Sequence, residues 1–114
     1  MGRTPQEIFD HHIHALVARD VDDLLADYTD DSVLVTVDGV AQGRDGIRAA
    51  FSRLADALAE AVFDVKSKTF HGDILLLEWT LDSPGHQVDG VDTFLFGDDS
   101  IRVQTISQLV RPKG

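Results

Sequence analysis

The stretch that most constrains the fold is Val88–Phe96, Val-Asp-Gly-Val-Asp-Thr-Phe-Leu-Phe, with the β-branched run Ile101–Val110 close behind it. Turn residues flank it, Ser83-Pro84-Gly85 before and Gly97-Asp98-Asp99-Ser100 after, so a long strand is expected from His86 to Phe96 and another over Ile101–Val110. Side chains on a strand alternate faces, which puts Gly90, Asp92, Phe94 and Phe96 together and Val91, Thr93 and Leu95 opposite them. A carboxylate in line with two phenylalanine rings is costly when charged and unpaired. The fold must pair Asp92, keep it protonated or use it.

Two further strands precede this pair. Phe63, Val65 and Ser67 alternate with Asp64, Lys66 and Lys68, and after His71-Gly72-Asp73 comes Ile74–Leu81. In the latter, Leu75, Leu77, Trp79 and Leu81 point one way and Ile74, Leu76, Glu78 and Thr80 the other. Both faces of the sheet thus carry apolar groups, where a sheet half-exposed to water shows a cleaner alternation. A homodimer through the outer sheet face is the expected reason.

The N-terminal half is helical. Thr4, Pro5 and Glu7 form a capping box with proline at the first helical position. Phe9, Ile13, Leu16 and Val17 then recur at helical spacing, giving a helix from Pro5 to about Arg19. Asp20 caps a second helix, Val21–Tyr28, with Val21, Leu24, Leu25 and Tyr28 as its buried stripe. A short strand, Ser32–Val37, ends at the Asp38-Gly39 turn. A third helix, from about Arg44 to Glu60, carries Ile47, Phe51, Leu54 and Leu58 on one face. Pro112 and Gly114 are expected in a frayed tail. Helices leading and antiparallel strands following define an α+β fold, a curved sheet wrapped around the N-terminal helices.

With 114 residues and 43% apolar content, the chain suits a single domain, 1–114, with a core that needs no staples. The absence of cysteine suits the cytoplasm, and Met1–Asp10 does not have the character of a signal peptide. A net charge of −10 without a basic stripe argues against nucleic acid, and no apolar run approaches a membrane span.

Two blocks of residues carry a resemblance. The first is Ala15-Leu16-Val17-Ala18-Arg19-Asp20-Val21-Asp22, continuing through Tyr28-Thr29-Asp30-Asp31-Ser32 to Gly43-Arg44-Asp45-Gly46-Ile47 and Phe51. The second is Gly90-Val91-Asp92-Thr93-Phe94-Leu95-Phe96 with Ser100-Ile101. With the element order, they resemble the nuclear transport factor 2-like superfamily, a cystatin-like cone, and within it the SnoaL-like polyketide cyclase and ketosteroid isomerase branch. The fold hosts isomerases, cyclases, dehydratases, epoxide hydrolases and plain binding proteins. By register, the resemblance puts the late-strand acid of ketosteroid isomerase on Asp92, its first-helix tyrosine on His12 and its carboxylate base on Thr36, which is no carboxylate. Asp38 lies two residues on. For the Asp-Arg-Asp relay of the epoxide hydrolase branch, Arg44 and Arg102 are present, but glycine stands at Gly90, where an arginine is wanted.

Asp92 and His12 are therefore the candidate acid–base pair, with Tyr28 as a supporting hydrogen-bond partner. Each also reads as a satisfied structural residue. Phe9, Leu16, Thr36, Phe51, Leu77, Trp79, Phe94 and Phe96 either line a ligand pocket or fill the core. His12 and His14 are about 200° apart around the helix and cannot enter one pocket. His11 and His14 have metal-pair spacing, with Glu7 one turn earlier, but lack a third ligand, so no metal site is assigned. His71 and His86 are expected in loops or at strand ends. No cofactor is expected. Three functions remain open: a cofactor-independent isomerase, cyclase or dehydratase acting on an apolar carbonyl compound; a non-catalytic binder of a small hydrophobic molecule; and a dimerisation module of the same fold.

Overall fold

Thr4 and Pro5 begin the first helix as their order dictates. The Glu7 amide donates to the Thr4 hydroxyl at 3.1 Å, and the Thr4 amide donates to the Glu7 carboxylate at 2.8 Å. Two amides that a helix start leaves bare are thereby satisfied. The computed structural model describes residues 2–113 and leaves aside the side chains of Ala57 and Leu58. The Leu58 side chain, expected on the third helix face, and Gly114 in the tail thus lie outside what is described.

Helix α1 spans Pro5–Ala18, and Arg19 ends it in the left-handed conformation at φ 57°. Asp20 accepts the Asp23 amide and opens α2, which covers only Val21–Leu24 before a 3₁₀ turn, Leu25–Asp27. The helix expected through Tyr28 stops a turn early for tertiary reasons. Asp27 is fully buried between Arg3 and His11, and Tyr28 is extended so that its hydroxyl meets Gln104.

Strand β1 (Val33–Thr36) and β2 (Gly39–Gln42) form a hairpin around the Asp38 turn. The sequence pattern does not reveal β2, because Val40-Ala41 is too short an apolar run to register as a strand. Helix α3 covers Gly43–Leu58, followed by β3 (Val62–His71), β4 (Ile74–Asp82), β5 (His86–Gly97) and β6 (Ser100–Pro112). His71 ends β3 and His86 begins β5. Pro112 is not in a frayed tail but pairs with His86 at the end of the sheet.

The six strands form one curved, unclosed sheet in the order β2-β1-β6-β5-β4-β3, rather than the four long strands alone. Only β1 and β6 run parallel, and bulges at Val65/Ser67 and Leu95/Phe96 bend the long strands. The helices cover the concave face. Ile8, Phe9 and Ala15 of α1 and Ile47 and Phe51 of α3 are buried in the same cluster as Leu75, Leu77, Phe94 and Phe96. Each of the leucine, isoleucine and phenylalanine side chains among them is worth roughly 1.5–3 kcal/mol when fully buried.

Gly90 has a specific role here. It pairs with Trp79 across β4 and β5, and a Cβ at this position would lie 2.0 Å from Cζ2 of the indole. Only glycine lets the ring lie flat across the neighbouring strand. On the convex face, Ile74, Leu76, Val91 and Leu95 remain between 38% and 48% exposed. Among the described residues, no helix is long and apolar enough to cross a membrane.

Candidate functional site

The sheet's curvature leaves a cavity of about 160 Å³ between α1, α3 and the long strands. His12 and Leu16 reach it from α1, Phe51 from α3, Leu77 and Trp79 from β4, and Asp92 from β5. The remaining expected pocket residues lie elsewhere. Phe9, Phe94 and Phe96 are core: Phe94 stacks on Phe96 at 5.7 Å and meets Phe9 edge-on at 5.8 Å. Thr36 lines an adjacent groove with Leu34, Asp38 and Arg53. Tyr28 is 1% exposed and touches the site only through other residues.

Asp92 is 5% exposed and is held at both oxygens. The Trp79 indole donates to Oδ1 at 2.8 Å, and the Gln104 amide donates to Oδ2 at 3.0 Å. The Tyr28 hydroxyl in turn donates to the Gln104 carbonyl, which fixes the amide's orientation. Burial pushes the Asp92 carboxyl up to about 6, against the lowering effect of its two donors. Tyr28 is pushed well above its ordinary value by burial and by the nearby charges of Asp92 and Asp27.

His12 sits in an aromatic box of Phe94, Phe51, Tyr28 and Phe9, with ring centroids 5.4–6.4 Å away. Its Nδ1 is buried with no hydrogen-bond partner among the described residues. Burial, with a smaller contribution from the charge of His11, lowers its value to about 3, so the ring is neutral throughout the physiological range. His12 and Asp92 line one cavity but are not hydrogen-bonded to each other; Asp92 takes its donors from Trp79 and Gln104. The direct couple expected from sequence is replaced by two groups facing a common space.

Gln104 was missed by the sequence reading, as were Gln108, Phe63 and Val88, which also line the cavity. His11 is occupied elsewhere. Its Nδ1 meets Asp27 at 2.6 Å and its Nε2 meets Asp23 at 2.9 Å, while Arg3 bridges Asp27 and Asp99. The bond to Asp27 is the main cause of the raised value of His11. This ionic cluster fastens the segment before α1 to the β5–β6 turn and engages both ring nitrogens of His11.

Helices roofing a curved sheet, over a cavity with one buried carboxylate, place the molecule in the nuclear transport factor 2-like class. Within that class the chain belongs to the SnoaL-like domain family, whose profile matches residues 9–104. Solved structures share the fold. A nuclear transport factor 2-like protein of unknown function from Cytophaga hutchinsonii superposes with a TM-score of 0.80 at 11% identity, covering 96% of this chain and 93% of that one. A candidate polyketide cyclase from Sinorhizobium meliloti gives 0.79 at 23% identity, covering 89% and 94%. SalBIII, an epoxide hydrolase/cyclase-like enzyme in pyran ring formation of the polyether salinomycin, gives 0.81 at 16% identity, covering 92% and 90%. No curated protein matches the chain at a significant level.

Proposed function

We propose that this chain is a cofactor-independent acid–base enzyme that moves a proton on a small, apolar, carbonyl-bearing molecule, in the manner of a cyclase, isomerase or dehydratase. The observation that carries the reading is Asp92: a buried carboxylate facing an apolar cavity, with a value near 6. Such a group is ionised at neutral pH and is still basic enough to take a proton. Trp79 and Gln104 both donate to it, which favours the ionised form and casts Asp92 as base rather than as hydrogen-bond donor.

In the proposed step, Asp92 removes a proton from the carbon beside the carbonyl. The C–H electron pair becomes a C=C bond, and the carbonyl π pair moves to oxygen. The neutral His12 imidazole, which lines the same cavity, hydrogen-bonds that oxygen as charge develops. The enolate then takes the proton back at another carbon, attacks an electrophile within the same molecule, or expels a β-hydroxyl. The candidate polyketide cyclase and SalBIII among the structural relatives support the cyclising outcome as the family-level reading.

The test is exchange of the methyl protons of acetophenone in D₂O, followed by NMR. Asp92→Asn should lose about 10²-fold or more of the enzyme-dependent rate. An unchanged rate in the variant refutes the assignment of Asp92 as base. A second reading, a non-catalytic binder, is favoured by the donors already held at both Asp92 oxygens. Binding of acetophenone, seen in Trp79 fluorescence, with no exchange above the buffer rate would select it.

The convex apolar face supports a homodimer as part of the same proposal. Light scattering at micromolar concentration should give twice the chain mass, falling to a single chain mass in Leu76→Lys. A monomeric wild type would refute it.

A further inference from the structure

We propose that the ligand of this site carries an oxygenated, uncharged arm lodged in the groove lined by Thr36, Asp38 and Arg53. This rests on the reading of the cavity as the seat of an apolar carbonyl compound and adds a substrate class to it. The groove has a volume of about 340 Å³, and Phe51, Leu54, Ile106 and Gln108 line both it and the 160 Å³ cavity. These four side chains border both spaces and, in this proposal, form the neck between them.

Size sets the first constraint. A cavity of roughly 150 Å³ holds a single benzene ring. The space beside Asp92 therefore accepts one ring and its carbonyl, and the rest of a larger molecule extends beyond it, in this proposal across the shared side chains into the groove. Chemistry sets the second. The cavity wall is apolar apart from His12, Asp92, Gln104 and Gln108, whereas the groove presents the Thr36 hydroxyl, the Asp38 carboxylate and the Arg53 guanidinium.

Among the described residues, neither the Arg53 guanidinium nor the Asp38 carboxylate enters an ion pair. One cation and one anion on a common groove give it no net charge, so neither an anionic nor a cationic arm gains a net attraction there. An anionic arm meets Asp38 within a chain of net charge −10, and a cationic arm meets Arg53. A hydroxyl or ether oxygen accepts from Arg53 and Gln108, and a hydroxyl also donates to Asp38. A purely alkyl arm would cover these groups without replacing their water. The class implied is a ring ketone with a neutral hydroxylated or ether side chain.

The experiment titrates the whole chain with acetophenone, 4′-(2-hydroxyethoxy)acetophenone and (4-acetylphenoxy)acetate, followed by NMR. The single tryptophan makes the Trp79 indole N–H a unique reporter of the cavity, and the Gln108 side-chain amide reports the neck. The hydroxyethoxy compound should bind about tenfold tighter than acetophenone, the worth of one charge-assisted hydrogen bond, and should move both signals. The carboxylate should bind no tighter than acetophenone. Arg53→Ala should bring the affinity ratio of the first two probes close to one. If acetophenone moves the Trp79 signal but the hydroxyethoxy arm adds no affinity, or if the carboxylate binds tightest, the inference is overturned while the cavity reading stands. If no probe moves the Trp79 signal, both fall.

Discussion

Replacing Gly90 by alanine adds one methyl group at a place with no room for it. The new Cβ would stand 2.0 Å from Cζ2 and 2.1 Å from Cε2 of Trp79. Carbon atoms rest at about 3.5–4.0 Å, so the indole must shift by roughly 1.5 Å or more. It cannot do so and keep its 2.8 Å bond to Asp92. Overpacking costs about 1–3 kcal/mol, and a lost hydrogen bond to a charged group about 1.5–3 kcal/mol. Gly90→Ala should therefore destabilise the fold by at least ~3 kcal/mol, a drop in Tm of roughly 15 °C. The assay is thermal and urea unfolding followed by far-UV circular dichroism, since the tryptophan signal is itself perturbed. A double-mutant cycle with Trp79→Leu isolates the cause: without the indole, Gly90→Ala should cost less than about 1 kcal/mol. Equal costs in the two backgrounds would refute the reasoning.

Other predictions concern titration. With Asp92 as base, acetophenone exchange should rise with pH through an apparent value near 6 and then level off, a profile read from initial rates between pH 4.5 and 8. Because the folded value of Asp92 lies above the ordinary 3.8, the native state binds the extra proton between the two. This group should add up to ~3 kcal/mol of stability as pH falls from above 6 to about 4, a gain that Asp92→Asn abolishes in urea titrations. His12 acts in the opposite sense. Its folded value near 3 lies below the ordinary 6.5, so its contribution is intact above 6.5 and is lost as pH falls toward 3; His12→Leu should lessen acid sensitivity at pH 4.5. The raised value of His11 makes its contribution complete below 6.5 and lost as pH rises through the folded value, a slope that His11→Gln should flatten in the same measurement.

Much of this was legible in the residues. Alternation along Val88–Phe96 put Asp92 on the inner face, and helical spacing put His12 on the buried side of α1; both hold because period alone decides which face a side chain takes. Gln104 was illegible for a specific reason. Counting back from the Gly97–Ser100 turn without interruption would set Gln104 opposite Thr93, on the outer face. The bulge at Leu95/Phe96 shifts the register so that Gln104 faces Phe94 and turns inward. No local pattern announces that extra residue. The early end of α2 was hidden likewise, since it depends on Arg3, His11 and Gln104, partners remote in sequence.

The central place of β6, parallel to β1 on one side and antiparallel to β5 on the other, bears on how the molecule is made. The β1–β2 hairpin has no neighbour in the sheet except through Ser100–Pro112, so it reaches its lasting sheet partner only when those residues become available. On the ribosome, the helices and the first hairpin must wait with apolar sides unshielded while the later strands emerge. Loss of the last dozen residues would therefore leave the hairpin and β3–β5 as two separate pieces of sheet instead of a slightly shortened one.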